Sequence, residues 1–331
     1  MKEIEKVLDQ CQDIVIIPHK NPDGDALGSC LGWKIFLDHL GKNARIVSPN
    51  DYPKFLKWMP QQEQIINAEQ SPEHAQKLIL QAELIFCLDF NDLERIDSLA
   101  TWVESSSATV VMIDHHENPT DFAEITLSKP EMGSTSEMIY DCIIGIQPKA
   151  LDPAIATCLY TGIMTDTGSF RFPSTTPATH RAVAHLMETG AVHSQIHQNI
   201  YDSYSFNRLR LLGIALSNMK QVEGLPVVYI TLNANELESV HYQKGFTEGF
   251  VNYGLRLEEI QLAVIMIDHQ QEGKVKMSFR SKGDFPAHHF AGEFFNGGGH
   301  LNAAGGVSFE NLNQTVEKFL TAIQSFPYEF S

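Results

Sequence analysis

The 331-residue sequence has few basic side chains: 24 Lys and Arg stand against 41 Asp and Glu, and the formal net charge is −17. A protein that holds long nucleic acid through its phosphates normally presents a broad basic surface. Because this chain cannot present one overall, long nucleic acid is excluded as a partner. We expect any anionic substrate to be small and to be held by a local pocket or by bound metal.

Long apolar runs are also missing. None approaches the roughly eighteen residues of a membrane span, and the charged start of the sequence is unlike a signal peptide. Only five cysteines occur, scattered and mostly in apolar surroundings. They are typical of buried free thiols in a reducing compartment, not of a disulfide framework or a zinc site. We expect a cytoplasmic protein that does not bind a membrane.

The first half of the chain alternates short apolar runs with longer amphipathic ones. The short runs read as parallel strands covered on both faces: 13–19, 44–48, 83–90 and 109–116. Helical patterns occupy 25–40, 72–82, 92–105, 134–145, 152–164 and 177–189. Strands that alternate with helices predict an α/β domain with a parallel sheet. In the helix at 134–145, Ser134 and Glu137 fit a capping box.

The pattern changes after a polar-to-apolar segment at 193–219, which is typical of one connecting helix. Further strands are predicted at 225–232, 261–270 and 274–282, and further helices at 234–243, 247–256 and 311–325. We therefore expect a parallel-sheet domain at 1–192, a linker helix at 193–214 and a smaller α/β domain at 215–331, with a cleft between the two domains.

Aspartate and histidine residues follow three of the predicted parallel strands. His19 follows the first, Asp89 the third, and Asp114-His115-His116 the fourth, while Asp166 lies just beyond a helix. In open parallel sheets, ligands bind beyond the carboxyl ends of the strands. Taken singly, each residue also fits a structural role such as a helix N-cap or a turn. Taken together, they indicate one crevice lined by several carboxylates.

Carboxylates brought so close repel one another unless a cation neutralises them. A mixture of Asp oxygens and His nitrogens without Cys suits Mn²⁺, with Mg²⁺ or Co²⁺ as alternatives. Two metals need a shared ligand, which Asp89 on a central strand would supply. Metal pairs about 3.5–4 Å apart clamp the attacking and leaving oxygens of phosphoryl transfer. The sequence therefore predicts a dinuclear metal site.

Four segments resemble the motifs of the DHH phosphoesterase superfamily: HKNPDGDALGS from His19, Asp89 within CLDF, IDHH ending at His116, and TDTGSFRF from Thr165. The C-terminal FNGGGHLNAAGG at 295–306, with SFRSK at 278–282, resembles the DHH-associated domain. These matches follow one another in the order typical of the superfamily and span nearly the whole chain.

The resemblance implies a role for each matched residue. One metal would be held by His19, Asp23 and Asp89, and the other by Asp25, Asp89, His115 and Asp166. His116 would be the catalytic histidine, at the phosphate or the leaving oxygen. Asp114 would orient the neighbouring imidazole by a hydrogen bond.

The glycine-rich segment at 297–299 predicts a second binding feature. Consecutive glycines can turn backbone N–H groups toward an anion, and the helix-prone NAAG that follows would add a positive helix start. With the support of the resemblance, we expect a cradle for a terminal phosphate formed by Arg280, Ser281, Gly298, Gly299 and His300. By contrast, we expect Asp268 and His269 in a turn and His288-His289 in a loop.

Within the superfamily, the chain resembles the nano-RNase/pAp phosphatase group. That resemblance implies a hydrolase that acts on very short oligoribonucleotides and on 3′-phosphoadenosine 5′-phosphate (pAp). The main alternative is a phosphodiesterase for cyclic di-AMP or linear pApA. An inorganic pyrophosphatase or polyphosphatase and a non-catalytic oligonucleotide-binding protein are further alternatives. The oligomeric state, a homodimer included, stays open.

Overall fold

The computed structural model describes residues 2–328 and 330, and the chain forms two compact units, one ending at Ser203 and the other beginning at Tyr204. No helix among the described residues is long and apolar enough to cross a membrane. All five cysteines are free, and four of them are buried, which confirms the expected thiols.

The first unit contains eight helices and six strands among its described residues. The helices are α1 (Lys2–Gln10), α2 (Gly24–His39), α3 (Pro72–Gln81), α4 (Leu99–Glu104), α5 (Thr135–Ile146), α6 (Pro153–Asp166), α7 (Pro177–Thr189) and α8 (His193–Tyr201). The strands are β1 (Asp13–Pro18), β2 (Asn43–Ser48), β3 (Ile66–Asn67), β4 (Leu84–Leu88), β5 (Thr109–Asp114) and β6 (Ile125–Ser128).

The six strands form one parallel sheet in the order β3-β2-β1-β4-β5-β6. Side chains alternate between the two faces of each strand. Ile16 and Phe86 pack on one face in a core shared with residues of α2, α5 and α6. Val15 and Ile85 pack on the other, against α3 and α4. Burial on both faces explains why the strands are almost continuously apolar, and the predicted parallel sheet is confirmed.

The second unit is a mixed sheet with helices. Its strands are β7 (Lys220–Gln221), β8 (Val227–Leu232), β9 (Leu262–His269), β10 (Lys274–Ser281), β11 (Gly298–His300) and β12 (Ala303–Ser308). Its helices are α9 (Phe206–Ser217), α10 (Ala234–Ser239), α11 (Ala287–Phe295) and α12 (Leu312–Ser325), with a 3₁₀ helix at Phe250–Arg256. The strand order is β11-β12-β10-β9-β8-β7; β8 and β9 are parallel and the other neighbours antiparallel.

The connecting segment at 193–219 is two helices and not the single helix that its composition predicts. Helix α8 ends before Asp202, and Ser205 begins α9 by accepting the backbone N–H of Arg208 with its hydroxyl. An N-cap residue sits outside the helix that it starts, so the serine interrupts the run. A similar break divides 92–105 into a 3₁₀ helix, Leu93–Ile96, and the short α4.

Three local predictions in the second unit are wrong. The NAAG segment opens β12 and not a helix, because Ala303–Ser308 pairs along its length with β10. His288 and His289 lie in α11 and not in a loop. Asp268 and His269 end β9 and not a turn, since both pair with β10 before the hairpin closes. In each case pairing or packing with a distant segment overrides the local preference.

Candidate metal centre

Three adjacent strands bring the predicted acidic and imidazole residues to one edge of the parallel sheet. In its register, Pro18, Leu88 and Ile113 lie side by side on β1, β4 and β5. The residue after Pro18 is His19, and the residue after Leu88 is Asp89. Asp114 ends β5 and leads into His115 and His116. The carboxyl ends of the strands thus form the floor of the site, as the sequence predicts.

The first group of ligand-type atoms contains His19, Asp23 and Asp89. Nε2 of His19 lies 3.6 Å from Oδ2 of Asp89 and 3.9 Å from Oδ1 of Asp23. Nδ1 of His19 lies 2.9 Å from the carbonyl of Lys20, which fixes the ring and turns Nε2 toward the carboxylates. Such an outer contact sets the tautomer of a metal-binding histidine.

The second group contains Asp25, His115 and Asp166, with Asp89 beside them. Nε2 of His115 lies 3.2 Å from Oδ2 of Asp166, 3.6 Å from Oδ1 of Asp89 and 3.9 Å from Oδ2 of Asp25. Nδ1 of His115 lies 3.1 Å from the carbonyl of Met132. The two oxygens of Asp89 therefore face different histidines, Oδ2 toward His19 and Oδ1 toward His115.

Two helix starts position the carboxylates of the opening motif. Asp23 is the N-cap of α2, and its Oδ1 accepts the backbone N–H groups of Asp25 and Ala26. The Asp23 side chain therefore caps the helix and also lies beside His19. Asp25 lies in the first turn of α2, and its carboxylate accepts the N–H groups of Thr135 at 2.7 Å and Ser136 at 2.8 Å. The positive start of α5 holds that carboxylate.

Helices α2 and α6 approach each other through glycines. A Cβ atom on Gly28 would lie 2.6 Å from the carbonyl oxygen of Cys158. A Cβ atom on Gly162 would lie 1.9 Å from Oγ of Ser136 and 2.8 Å from Oδ1 of Asp25. Since nothing larger than hydrogen fits at either position, the glycines let the start of α2 and the end of α6 bring Asp25 and Asp166 to one place.

Asp89 has a left-handed backbone, with φ of 67°. Asp tolerates this conformation better than most residues, but it is still uncommon outside glycine. The backbone N–H of Asp89 donates to Ile113, and its Oδ1 accepts the hydroxyl of Thr135 at 2.9 Å. An unusual backbone held by surrounding bonds at a cluster of charged groups is typical of functional sites.

The last predicted pair is His116 and Asp114. Nδ1 of His116 lies 2.7 Å from Oδ1 of Asp114, whose Oδ2 accepts the backbone N–H of His116 at 2.9 Å. Asp114 is fully buried, and its carboxylate can only accept, so Nδ1 of His116 carries the hydrogen.

The capping box expected at the start of α5 is only half formed. The hydroxyl of Ser134 accepts the backbone N–H of Glu137, but the Glu137 carboxylate accepts the hydroxyl of Thr179 instead.

The crowded carboxylates shift one another's proton affinity. Burial and the nearby Asp89 and Asp166 charges raise the pKa of Asp25 well above its usual range. Burial raises the pKa of Asp166 to about 7. Burial lowers the pKa of His19, but its hydrogen bond to Asp89 and the charges of Asp23 and Asp89 outweigh this and raise it to about 9. Burial likewise opposes ionisation of Asp89, yet the surrounding histidines hold its pKa below the usual range.

These residues fit a divalent metal pair. Neighbouring ligand atoms around a six-coordinate ion with bonds of about 2.1 Å lie about 3 Å apart, and the His–Asp distances here are 3.2–3.9 Å. The raised pKa of buried Asp25 marks a charge that a cation would neutralise. The donor set of oxygens and imidazole nitrogens, without cysteine, suits manganese or a similar ion.

On the second unit, Arg280 and His300 share one face of the sheet. Arg280 on β10 pairs with Ala303 on β12, and Ala303 pairs with His300 on β11. Directly opposed residues point to the same face of an antiparallel sheet. Gly305 and Gly298 form the next row of that face, where a Cβ on Gly298 would meet nothing within 4 Å. A floor of small residues thus lies beside one arginine and one histidine.

The remaining predicted cradle residues are placed differently. Gly299 pairs with Ala304, whose side chain is buried on the opposite face. Ser281 is buried; its hydroxyl donates to the carbonyl of Phe285 and accepts from Nδ2 of Asn302, so it holds the local fold. We therefore place Ser281 outside the cradle. Nη1 of Arg280 donates to the carbonyl of its neighbour Phe279, and desolvation lowers the pKa of the Arg280 guanidinium.

Sequence reasoning missed the groups that hold the site together. Thr135 and Ser136 bind the carboxylates of Asp25 and Asp89, although their segment indicated only a helix start. Arg95 also lies at the site, with Nη2 3.5 Å from Nε2 of His116. Its signal was an arginine shortly after Asp89, which spacing alone does not separate from a surface residue.

The chain matches known proteins along nearly its whole length. Residues 13–163 match the DHH family N-terminal domain, and residues 244–327 match the DHHA1 domain. A bifunctional oligoribonuclease and PAP phosphatase from Thermus thermophilus is 32% identical over 94% of this chain and 89% of that protein. A cyclic-di-AMP phosphodiesterase from Geobacillus thermodenitrificans is 25% identical over 98% of this chain, which spans 49% of that protein.

A solved structure agrees. The crystal structure of an exopolyphosphatase-related protein from Bacteroides fragilis superposes with a TM-score of 0.95 at 40% identity, covering 98% of this chain and 95% of that one. The motifs, the parallel sheet that gathers them and these matches lead to the same assignment. The chain belongs to the DHH phosphoesterase family and carries a DHHA1 domain.

Proposed function

We propose that this protein is a metal-dependent phosphoesterase that hydrolyses short oligoribonucleotides and pAp to mononucleotides. The observation that carries the proposal is the convergence of Asp and His side chains from three adjacent strand ends and two helices. A relative named for this pair of activities matches 94% of the chain, which supports the choice of substrates. The net charge of −17 favours short substrates over long nucleic acid.

We assign two divalent ions to the site. His19, Asp23 and Asp89 would hold one ion, and Asp25, Asp89, His115 and Asp166 the other. Asp89 is suited to both because its two oxygens face the two groups. When bound, such ions polarise a phosphoryl oxygen, lower the pKa of water and align the displacement. We favour Mn²⁺ because the donors mix oxygen and imidazole.

We assign proton transfer to His116. Its Nδ1–H donates to buried Asp114, so Nε2 carries the lone pair in the neutral ring. Once protonated at Nε2, the ring can give that proton to the leaving oxygen, and the Asp114 carboxylate stabilises the imidazolium. Fixing one nitrogen this way also fixes the direction of the other. A positioned acid or base of this kind contributes typically 10²–10⁴-fold to the rate.

We assign a phosphate that is not cleaved to Arg280 and His300, with Gly298 and Gly305 as the floor beside them. The guanidinium offers a planar pair of donors that matches phosphate oxygens. Desolvation of Arg280 strengthens its attraction for an anion. This assignment predicts a lower KM for a substrate with a second phosphate or a second nucleotide than for one without it.

The test is turnover of a defined substrate panel by protein stripped of metal and reloaded with Mn²⁺. The panel contains pAp, two- to five-nucleotide RNA, pApA, cyclic di-AMP and pyrophosphate, compared by kcat/KM. We expect pAp and short RNA to be the best substrates. Hydrolysis of none of them by the Mn²⁺-loaded protein would contradict an enzymatic role and favour a binding protein.

A second candidate function is hydrolysis of cyclic di-AMP or its linear product pApA. The observation that favours it is the match to a cyclic-di-AMP phosphodiesterase over 98% of this chain, although the chain spans only half of that relative. A kcat/KM for cyclic di-AMP above that for pAp would select this alternative.

We also propose a cytoplasmic location, on the basis of the five free thiols.

A further inference from the structure

Arg95, beside the histidine pair, has no carboxylate partner among the residues that the structure describes. Nη2 of Arg95 lies 3.5 Å from Nε2 of His116, too long for a good hydrogen bond but close enough for both groups to face one space. Across residues 2–328 and 330, this half-buried guanidinium makes no ion pair, although acidic side chains outnumber basic ones. Two acidic residues close to Arg95 in sequence have other partners: Asp97 pairs with Lys20, and Asp92 accepts the backbone N–H of Glu94.

The backbone around Arg95 is fixed to the metal centre. Arg95 lies in the 3₁₀ helix Leu93–Ile96, a few residues after Asp89. Its N–H donates to the carbonyl of Asp92, and its carbonyl accepts the N–H of Lys20 at 2.7 Å. Because Lys20 directly follows His19, the loop of the first metal group holds Arg95 in place. Ile96, fully buried, anchors the same turn in the core.

We infer that Arg95 binds the scissile phosphate and is a catalytic residue of this centre. The inference rests on the proposed phosphoesterase function. His116 would deliver its proton at Nε2 to the leaving oxygen, and the guanidinium lies next to that nitrogen. A phosphate placed there would put its other oxygens within reach of Arg95, whose planar donors suit them. Arg95 would thus serve the phosphate that reacts and Arg280 the one that does not.

The test compares two substrates in matched variants. Arg95→Gln removes the charge but keeps a hydrogen-bond donor toward His116, and Arg45→Gln on β2 is the control, because Arg45 is exposed and donates to its neighbour's carbonyl. We expect Arg95→Gln to lose about 10²-fold or more in kcat/KM for both pAp and p-nitrophenyl phosphate, since removing one donor to developing charge typically costs 10²–10³-fold. Arg280→Gln should lose activity on pAp only, and Arg45→Gln on neither.

Inorganic phosphate supplies a second readout, which is its inhibition constant for the residual hydrolysis of p-nitrophenyl phosphate. This inhibition constant should rise about tenfold or more in Arg95→Gln and remain unchanged in Arg45→Gln, with metal content and melting temperature as in the wild type. If Arg95→Gln melts early, Arg95→Ala with added guanidinium ion replaces it, and rescue of the rate is then the expected result.

Four results would overturn the inference. Wild-type activity in Arg95→Gln would mean that a donor to His116 is enough. A loss confined to pAp would place Arg95 at the second phosphate. Unchanged inhibition by phosphate, or no rescue by guanidinium, would make the role structural. Failure of the proposed function is seen separately, as a wild-type enzyme that hydrolyses neither pAp nor short RNA while Arg95→Gln still loses activity on the small ester.

Discussion

Oδ1 of Asp114 lies 2.7 Å from Nδ1 of His116, and Oδ2 of the same carboxylate accepts the backbone N–H of His116. In the adjacent His115, Nδ1 lies 3.1 Å from a backbone carbonyl, that of Met132, and Nε2 faces three aspartates. Two consecutive histidines therefore have different surroundings. Their roles can be separated by experiment, because substitution of His116 should lower the rate and substitution of His115 should lower the metal content.

We expect His116→Ala to retain both metals and to lose about 10²–10⁴-fold in kcat, the range typical of a general acid or base. His115→Ala should lose metal, because it removes the nitrogen nearest Asp166. Metal content by elemental analysis, together with kcat for pAp, checks both statements. Equal metal occupancy in the two variants would show that the pair is assigned the wrong way round.

Asp89→Asn is the sharpest test of the shared ligand. Asn tolerates the left-handed backbone at this position, so the variant removes charge without new strain. Loss of a residue that only hydrogen-bonds to a metal ligand already lowers metal affinity or activity 10–100-fold. We therefore expect at least about 10²-fold loss of activity and loss of metal from both ligand groups. Asp97→Asn is the matched control, since Asp97 also has positive φ but pairs with Lys20 at the surface. Loss of a single ion in Asp89→Asn would argue against bridging.

Gly162 lies in α6, the helix that contributes Asp166 to the metal centre. Gly162→Ala should disturb that centre. The new methyl group would lie 1.9 Å from Oγ of Ser136 and 2.8 Å from Oδ1 of Asp25. Overpacking of this kind typically costs about 1–3 kcal/mol, and here it also displaces a proposed ligand. We expect a lower melting temperature and weaker Mn²⁺ binding.

Gly213→Ala in α9 is the control for that variant, because a Cβ there meets nothing within 4 Å. It should stabilise the helix by up to about 1 kcal/mol and leave Mn²⁺ binding unchanged. Normal Mn²⁺ affinity in Gly162→Ala would mean that the helices adjust without moving Asp25.

Metal affinity should increase with pH. In the metal-free protein the pKa of His19 is raised to about 9 and that of Asp166 to about 7, so near neutrality His19 is protonated and Asp166 is about half protonated. A metal ligand must be a neutral imidazole or an ionised carboxylate, so binding releases these protons. Mn²⁺ should therefore bind more tightly at pH 8.5 than at pH 6.5. Calorimetry at pH 7.5 should give heats that depend on the ionisation enthalpy of the buffer; identical heats in all buffers would contradict proton release.

Arg280→Ala and His300→Ala should separate binding from chemistry. Both should raise KM for pAp and lower its kcat in part, since remote binding energy aligns the reacting phosphate. Metal content should not change. Hydrolysis of p-nitrophenyl phosphate, which has no second phosphate, should be nearly insensitive to either change. An equal loss on both substrates would place these residues at the reacting centre or in the fold.

The positions of the motif residues were predictable from sequence, because the end of a buried strand is visible as the end of an apolar run. The apolar run Leu84–Leu88, for example, is followed directly by Asp89, and adjacent parallel strands place such residues at one edge. The distances then follow from the register that joins Pro18, Leu88 and Ile113. The short β3 and β6 were not predicted, because none of their residues is fully buried and they lack a continuous apolar run.

The contacts that hold the ligands were not predictable in the same way. Thr135 reaches Asp25 from 110 residues away, and no local pattern encodes that bond. The NAAG segment shows the opposite failure: its local preference is helical, yet pairing with β10 makes it a strand. Ser281 was predicted from its motif, and only the structure shows its hydroxyl bonded to Phe285 and Asn302.

The most direct test of the central claim is a titration of metal-stripped protein with Mn²⁺, following bound metal and pAp hydrolysis in the same samples. We predict that two Mn²⁺ ions bind per chain, that activity appears as the second ion binds, and that chelation abolishes it. In Asp89→Asn, both binding and activity should be lost together. Hydrolysis of pAp that persists without metal, or full Mn²⁺ occupancy with no hydrolysis of any substrate in the panel, would contradict the account.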